Sequence, residues 1–319
     1  MPPTWLALAA LALVLAWPVP ILLARATWPS RAPGTALFVW QAIALTGGLS
    51  MIGALLTYGL EPFTGNLVDG LLAFPGLLGG AALPSRANFG QMFAISGAIL
   101  LGVHLLLNLA TTFVRAERSR RRHLQLVSLL SAPMPEQPNA RLIDSEAPVA
   151  YCLPGTTRSV TVLSAGLTAL LDREQLRAVI AHESAHATQR HHIVLLAFRA
   201  WRGSLPWFPI ATRALDAVAI LVEMLADDHA RRVVSNETLV QSIALVASAS
   251  AARPPVGAST MPAEVNGAFA EDRPAASRRI ARLIDGRPAV AWPARLLAVA
   301  SGVALVAVPT VLLLSPGLG

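Results

Sequence analysis

Residues 181–192, AHESAHATQRHH, hold four of the chain's seven histidines together with one glutamate. His182 and His186 stand four apart, so on a helix both imidazoles leave one face about a turn apart and can bind one zinc ion. Glu183 lies beside them as a general base for water acidified by such an ion. A third protein ligand is needed, and two positions compete for it. His192 has the spacing used when a chain turns back at a glycine after HExxH. Gln189 occupies that glycine position, and nothing in the sequence breaks the helix there. On a continuing helix His192 is about 15 Å along the axis and about 80° round, out of reach, so His191 and His192 read as a solvated helix end. The rival lies in EMLADDHA, residues 223–230, where Glu223 and Asp227 are again four apart. One carboxylate can ligate zinc while the other hydrogen-bonds a ligand histidine and fixes its tautomer. Asp228 and His229 read as surface groups near Arg231 and Arg232.

These residues need helices to present them. Asp172 offers an N-cap, Gln175 completes a capping box, and Leu176, Val179 and Ile180 begin the apolar period of a helix that carries HExxH. Upstream, 151–153 and 159–163 (SVTVL) are β-prone runs separated by Pro-Gly-Thr-Thr-Arg, the pattern of a hairpin. Residues 193–223 are apolar, but Arg199, Arg202, Arg213, Pro206 and Pro209 interrupt every window of span length, which predicts helix, loop and helix. Residues 250–277, rich in Ala, Pro, Gly and Ser, predict a loop that could itself be cut.

The chain has 319 residues, 54% hydrophobic and only 13% charged. That excludes an ordinary soluble protein. Four stretches, 4–23, 36–60, 92–114 and 296–314, are long enough to cross a bilayer, and the first reads as a retained anchor, since it has no basic n-region. Every Lys/Arg position is arginine. Arg25 and Arg31, the run RAERSRRRH at 115–123, and Arg278, Arg279, Arg282, Arg287 and Arg295 all mark the inside. The expected fold is mostly α, with three transmembrane helices in 1–114, a cytoplasmic α+β peptidase domain in 115–295, and a fourth helix with a short tail in 296–319. The expected partners are the lipid bilayer of the inner (plasma) membrane and a protein or peptide substrate. The arginine run serves as a membrane-surface anchor, with no direct nucleic-acid contact expected. His104, inside the third span, needs a partner on a neighbouring helix. The single Cys152 requires no oxidising compartment. Nothing in the sequence fixes an oligomeric state.

HESAH, the EMLAD run, YCLPG with SVTVLSAGL, and SLPWFPIATRAL resemble the integral-membrane gluzincin zinc metallopeptidases over about residues 151–232. The likeness is closest to BlaR/MecR-type antibiotic-sensor signal transducers and more distant to the HtpX and CAAX-prenyl protease group. It implies zinc held by His182, His186 and Glu223, a catalytic Glu183, and Asp227 hydrogen-bonded to a ligand histidine. SRRIARL is similar to a late arginine-containing helix of these families, making Arg279 a candidate for stabilising the oxyanion; a buried salt bridge is the competing role. BlaR/MecR-type sensors carry an extracellular penicillin-binding domain after the fourth span. This chain ends a few residues beyond that span, so sensing is expected through the spans, the outer loop or a separate protein.

The implied substrate is a cytoplasmic transcriptional repressor, of the BlaI type, added as an extended strand at the edge near 159–163. Membrane-protein quality control in the HtpX manner is the alternative. A non-catalytic transducer with structural zinc is the third reading. Against the third, structural zinc favours four closed ligands, commonly with cysteine, whereas three His/Glu ligands leave a place for water.

Overall fold

The computed structural model describes residues 3–63, 76, 88–134, 137–153, 160–206, 209–251, 273–286 and 288–314. The hairpin turn 154–158, most of the outer loop, the core of the 250–277 loop and the tail 315–319 lie outside the described residues. The chain divides into two compact units, one built from Met1–Ala110, Ala200–Ala217 and Val290–Gly319, the other from Thr111–Arg199 and Val218–Ala289. Residues 200–217, counted above with the 115–295 segment, thus pack in the first unit.

The first unit contains α1 (Thr4–Ala16), α2 (Pro18–Arg25), α3 (Pro33–Leu60), the first part of α4 (Phe89–Leu130) and α11 (Trp292–Leu314). Pro18 and Pro20 lack the amide hydrogens a continuous ladder needs, so the first apolar run bends at Trp17 into two helices. Four candidate spans result, Thr4–Arg25, Pro33–Leu60, Phe89–Leu130 and Trp292–Leu314, each long and apolar enough to cross a membrane. By length and composition this is a multi-pass membrane protein. α3 packs between α1 and α11, burying Leu8, Leu15, Ala36, Trp40 and Ile43. α3 and α4 meet at Gly59, where a Cβ would lie 2.4 Å from Ile95 Cγ1 and 3.0 Å from the Gln91 carbonyl. Large apolar side chains such as Phe93, Leu100, Leu106 and Val311 are left exposed, which suits hydrocarbon rather than water.

His104 finds its partner within this unit, Nε2 lying 3.1 Å from the Ser204 carbonyl. Four residues on, Asn108 donates through Nδ2 to the Ala200 carbonyl and to Ser204 Oγ. Both polar groups sit on one face of α4 because they are one helical turn apart.

The second unit is built on a four-stranded sheet of β1 (Ser131–Met134), β2 (Gln137–Ile143), β3 (Ala150–Leu153) and β4 (Val160–Ser164), in the order β1-β2-β4-β3. β3 and β4 pair antiparallel with Tyr151 opposite Val162. β2 pairs parallel with β4, Ala140 opposite Thr161. The expected substrate edge at 159–163 is therefore wrong: β4 is bonded on both sides and has no free ladder to offer. The sheet's outer strands are β1 and β3. Alternation along the strands divides the side chains by face. Val162, Tyr151 and Leu153 cluster with Val127 from the last part of α4, while Leu163 and Ala150 join the core under the helices.

That core is completed by α5 (Ala165–Leu170), α6 (Arg173–Thr188), the end of α8 (Pro209–Ala230), α9 (Asn236–Ala251) and α10 (Arg273–Asp285). Leu163, Leu167, Val179, Leu239, Ile243 and Val246 are at most 1% exposed, and each such side chain contributes about 1.5–3 kcal/mol by leaving water. α6 carries HExxH, and its start is fixed by the sequence pattern. Asp172 accepts from the amides of Glu174 and Gln175 while Gln175 accepts from the Asp172 amide, a complete capping box.

The far end of α6 departs from expectation. The helix stops at Thr188, Arg190 takes a left-handed conformation with φ 53°, and a separate helix, α7 (His191–Ser204), begins at once. A left-handed arginine is unfavourable and leaves no composition signal of the kind glycine gives. The continuous helix inferred from the absence of a breaker is thereby corrected. His192 remains exposed, but His191 is buried at 2% exposure rather than lying at a solvated end.

Candidate metal centre

α6 and α8 meet with their polar faces together. The HExxH spacing puts His182 and His186 one turn apart on α6, and the 223/227 spacing does the same for Glu223 and Asp227 on α8. One ligand atom from each of His182, His186 and Glu223 lies within 4.8 Å of the others. His182 Nε2 is 3.1 Å from His186 Nε2 and 3.2 Å from Glu223 Oε2, and His186 Nε2 is 3.5 Å from Glu223 Oε1. Three lone-pair donors aimed at one another repel unless a cation lies between them. The spacing fits zinc: a tetrahedral ion with ligands at about 2.0–2.1 Å has edges of about 3.3 Å.

The neighbours of the donors are ordered too. His182 Nδ1 lies 3.0 Å from Asp227 Oδ1, so this ring donates its Nδ1–H to the carboxylate as a hydrogen bond and keeps Nε2 to ligate. Arg279 of α10, 1% exposed, forms a two-pronged pair with Asp227, Nε to Oδ2 at 2.8 Å and Nη2 to Oδ1 at 2.6 Å. Its Nη1 is 3.3 Å from Glu223 Oε2. The structure thus places Arg279 against the two carboxylates. Arg282, three residues on, pairs with Asp228 at 2.7 Å, so Asp228 meets α10 as well as its neighbour Arg231.

Electrostatics follow from this packing. Burial disfavours a charged His182, but Asp227 and Glu223 outweigh it and raise the imidazole to about 9. Burial also works against ionised Asp227 and Glu223. The Arg279 guanidinium overrides it for Asp227, held at about 2, and His186 with His182 holds Glu223 well below the usual carboxylate range. Glu183 differs. It is 3% exposed, burial pushes its carboxyl up, and its Oε1 has no hydrogen-bond partner among the described residues. A buried carboxyl oxygen with a free lone pair beside three converging donors is suited to taking a proton.

His191 completes the surroundings of the second histidine. Its Nδ1 is 3.1 Å from His186 Nδ1 and its Nε2 is 3.0 Å from Gln189 Oε1. Burial, with His186 next, pushes His191 down to about 4. The sequence contains the residue but not its placement, which depends on the turn at Arg190.

The model of peptidase family M48 matches residues 114–251. This match supports a metallopeptidase of that family, and peptidases of this family depend on a metal. It spans HExxH and the 223/227 pair but ends before Arg279. The chain matches no curated protein and no solved structure, so no homologue supports the BlaR/MecR-type likeness over the family as a whole.

Proposed function

We propose that this chain is a membrane-embedded zinc endopeptidase that cuts a cytoplasmic protein, a transcriptional repressor of the BlaI type, in signal transduction of the BlaR/MecR kind. The observation that carries the peptidase reading is the convergence of His182, His186 and Glu223 at tetrahedral spacing with the unpartnered Oε1 of Glu183 beside them. The match to family M48 supports the same chemistry. The choice of a repressor rests on the resemblance of the HESAH, EMLAD and SVTVLSAGL segments.

Zinc, when bound, supplies Lewis acidity at an open coordination position. The protein's own groups do the rest. Glu183 takes the proton of an attacking water at its carboxylate and passes it to the leaving amine. Asp227 holds the His182 ring in the tautomer that leaves Nε2 unprotonated, and Arg279 keeps the Asp227 carboxylate ionised. With β4 paired on both sides, an extended substrate strand would add to β3, the outer strand beside it.

The test compares wild type with Glu183→Gln as full-length protein in proteoliposomes, measuring zinc content and cleavage of the chain itself and of BlaI-type repressors. Equal zinc with cleavage reduced about 10²–10⁴-fold is expected. Unchanged cleavage removes Glu183 from the mechanism. Cleavage of many misfolded membrane proteins in place of one repressor marks quality control of the HtpX kind instead.

A further inference from the structure

His182 and His186 are chemically alike, yet their rings are held by different groups. Asp227 accepts the hydrogen bond of His182 Nδ1–H. Among the described residues no carboxylate lies at the corresponding nitrogen of His186; that nitrogen faces His191 at 3.1 Å. We propose that His191 is the positioning residue for His186: its Nδ1 accepts a hydrogen bond from the Nδ1–H of that ring and so holds the ring's Nε2 toward the metal. The inference rests on the metal-centre reading above.

Two imidazole Nδ1 atoms at this distance cannot both present lone pairs, nor both present protons, so one donates and the other accepts. His186 Nε2 points at His182 Nε2 and Glu223, and an imidazole that ligates through Nε2 carries its proton on Nδ1. His186 is therefore the donor and His191 the acceptor. His191 must then carry its own proton on Nε2, and the Gln189 side-chain oxygen lies 3.0 Å away to receive it. The protons run in one direction, from His186 to His191 to Gln189. His191 is not itself a ligand, because the nitrogen it offers meets His186 on the side of the ring turned from the donor cluster. Its place is fixed by burial at 2% exposure and by the left-handed Arg190, which separates the two helices just before it.

The partner on His186 is uncharged where that on His182 is anionic. A second buried carboxylate would add another negative charge next to Glu223, Asp227 and Glu183, all already buried. A neutral acceptor orients the ring without that cost.

The experiment measures zinc affinity by chelator competition on the full chain in detergent. The variants are His191→Leu, which removes the acceptor, and His191→Asn, whose Oδ1 sits where Nδ1 did. His186→Ala serves as control, and secondary structure is checked by circular dichroism. His191→Leu is expected to weaken zinc binding about 10–100-fold, with His191→Asn restoring most of it. Zinc affinity unchanged in His191→Leu, or equally weak in His191→Asn, overturns the inference. If His191→Leu does not fold, Gln189→Leu decides, since that side chain is exposed: weaker zinc binding supports the relay, and unchanged binding overturns it. Equal zinc in wild type and His186→Ala is a different failure, that of the metal centre itself.

Discussion

Replacing Arg279 by methionine removes a guanidinium that is 1% exposed from between two acidic side chains. The two bonds to Asp227, at 2.6 and 2.8 Å, are charge-assisted, and such bonds are worth about 1.5–3 kcal/mol each. Removing one partner of a buried pair leaves the other charge uncompensated, for a loss of about 3–5 kcal/mol. The two figures overlap, so Arg279→Met should lower unfolding stability by about 3–5 kcal/mol in the zinc-free protein. Zinc should recover part of this, because the ion compensates Glu223 but not Asp227. The assay is denaturant unfolding of the full chain in detergent, with and without zinc, alongside zinc affinity and turnover. Loss of stability and zinc affinity ahead of any change in turnover per zinc-loaded molecule identifies a positioning role. Stability within about 1 kcal/mol of wild type, with turnover lost at full zinc occupancy, would refute this reasoning and make Arg279 the oxyanion group.

Three further perturbations have definite outcomes. Asp227→Asn keeps an acceptor for His182 but not its charge, and zinc affinity should fall about 10–100-fold, read by chelator competition. The folded pKa of His182 stands at about 9, above its ordinary 6.5, so in the zinc-free protein its contribution to stability is complete below pH 6.5 and is lost as pH rises through 9. Zinc replaces that proton, so apparent zinc affinity should climb with pH up to about 9, and a flat profile in isothermal titration would refute it. At Gly166 a Cβ would stand 1.9 Å from the Glu146 carbonyl oxygen and 2.4 Å from its carbon, both backbone atoms that no side-chain rotation relieves. Gly166→Ala should cost more than about 3 kcal/mol, read by thermal unfolding, and a near-neutral change would show that the chain around Glu146 can move.

The convergence of His182, His186 and Glu223 was legible because HExxH and the 223/227 pair depend on one helical period, and the capping box marked where α6 begins. The hairpin partners Tyr151 and Val162 were legible for the same reason, a local period of two. What was hidden depends on contacts between distant segments. β2, with Pro138 and Asn139 in its sequence, reads as turn material, and it becomes a strand through its parallel pairing with β4. The same pairing closes the edge that sequence assigned to substrate. The turn at Arg190 is written in no turn residue, so the burial of His191 could not be foreseen from spacing. The pairing of Arg282 with Asp228 joins residues more than fifty positions apart.

The centre buries three carboxylates, on Glu183, Glu223 and Asp227, with one guanidinium, on Arg279. In the zinc-free protein a charged His182 with the Arg279 guanidinium balances ionised Glu223 and Asp227, while burial favours the uncharged form of Glu183. A divalent ion that displaces the His182 proton would add one net positive charge, which an ionised Glu183 would offset. Loading of the metal and ionisation of Glu183 would then favour each other.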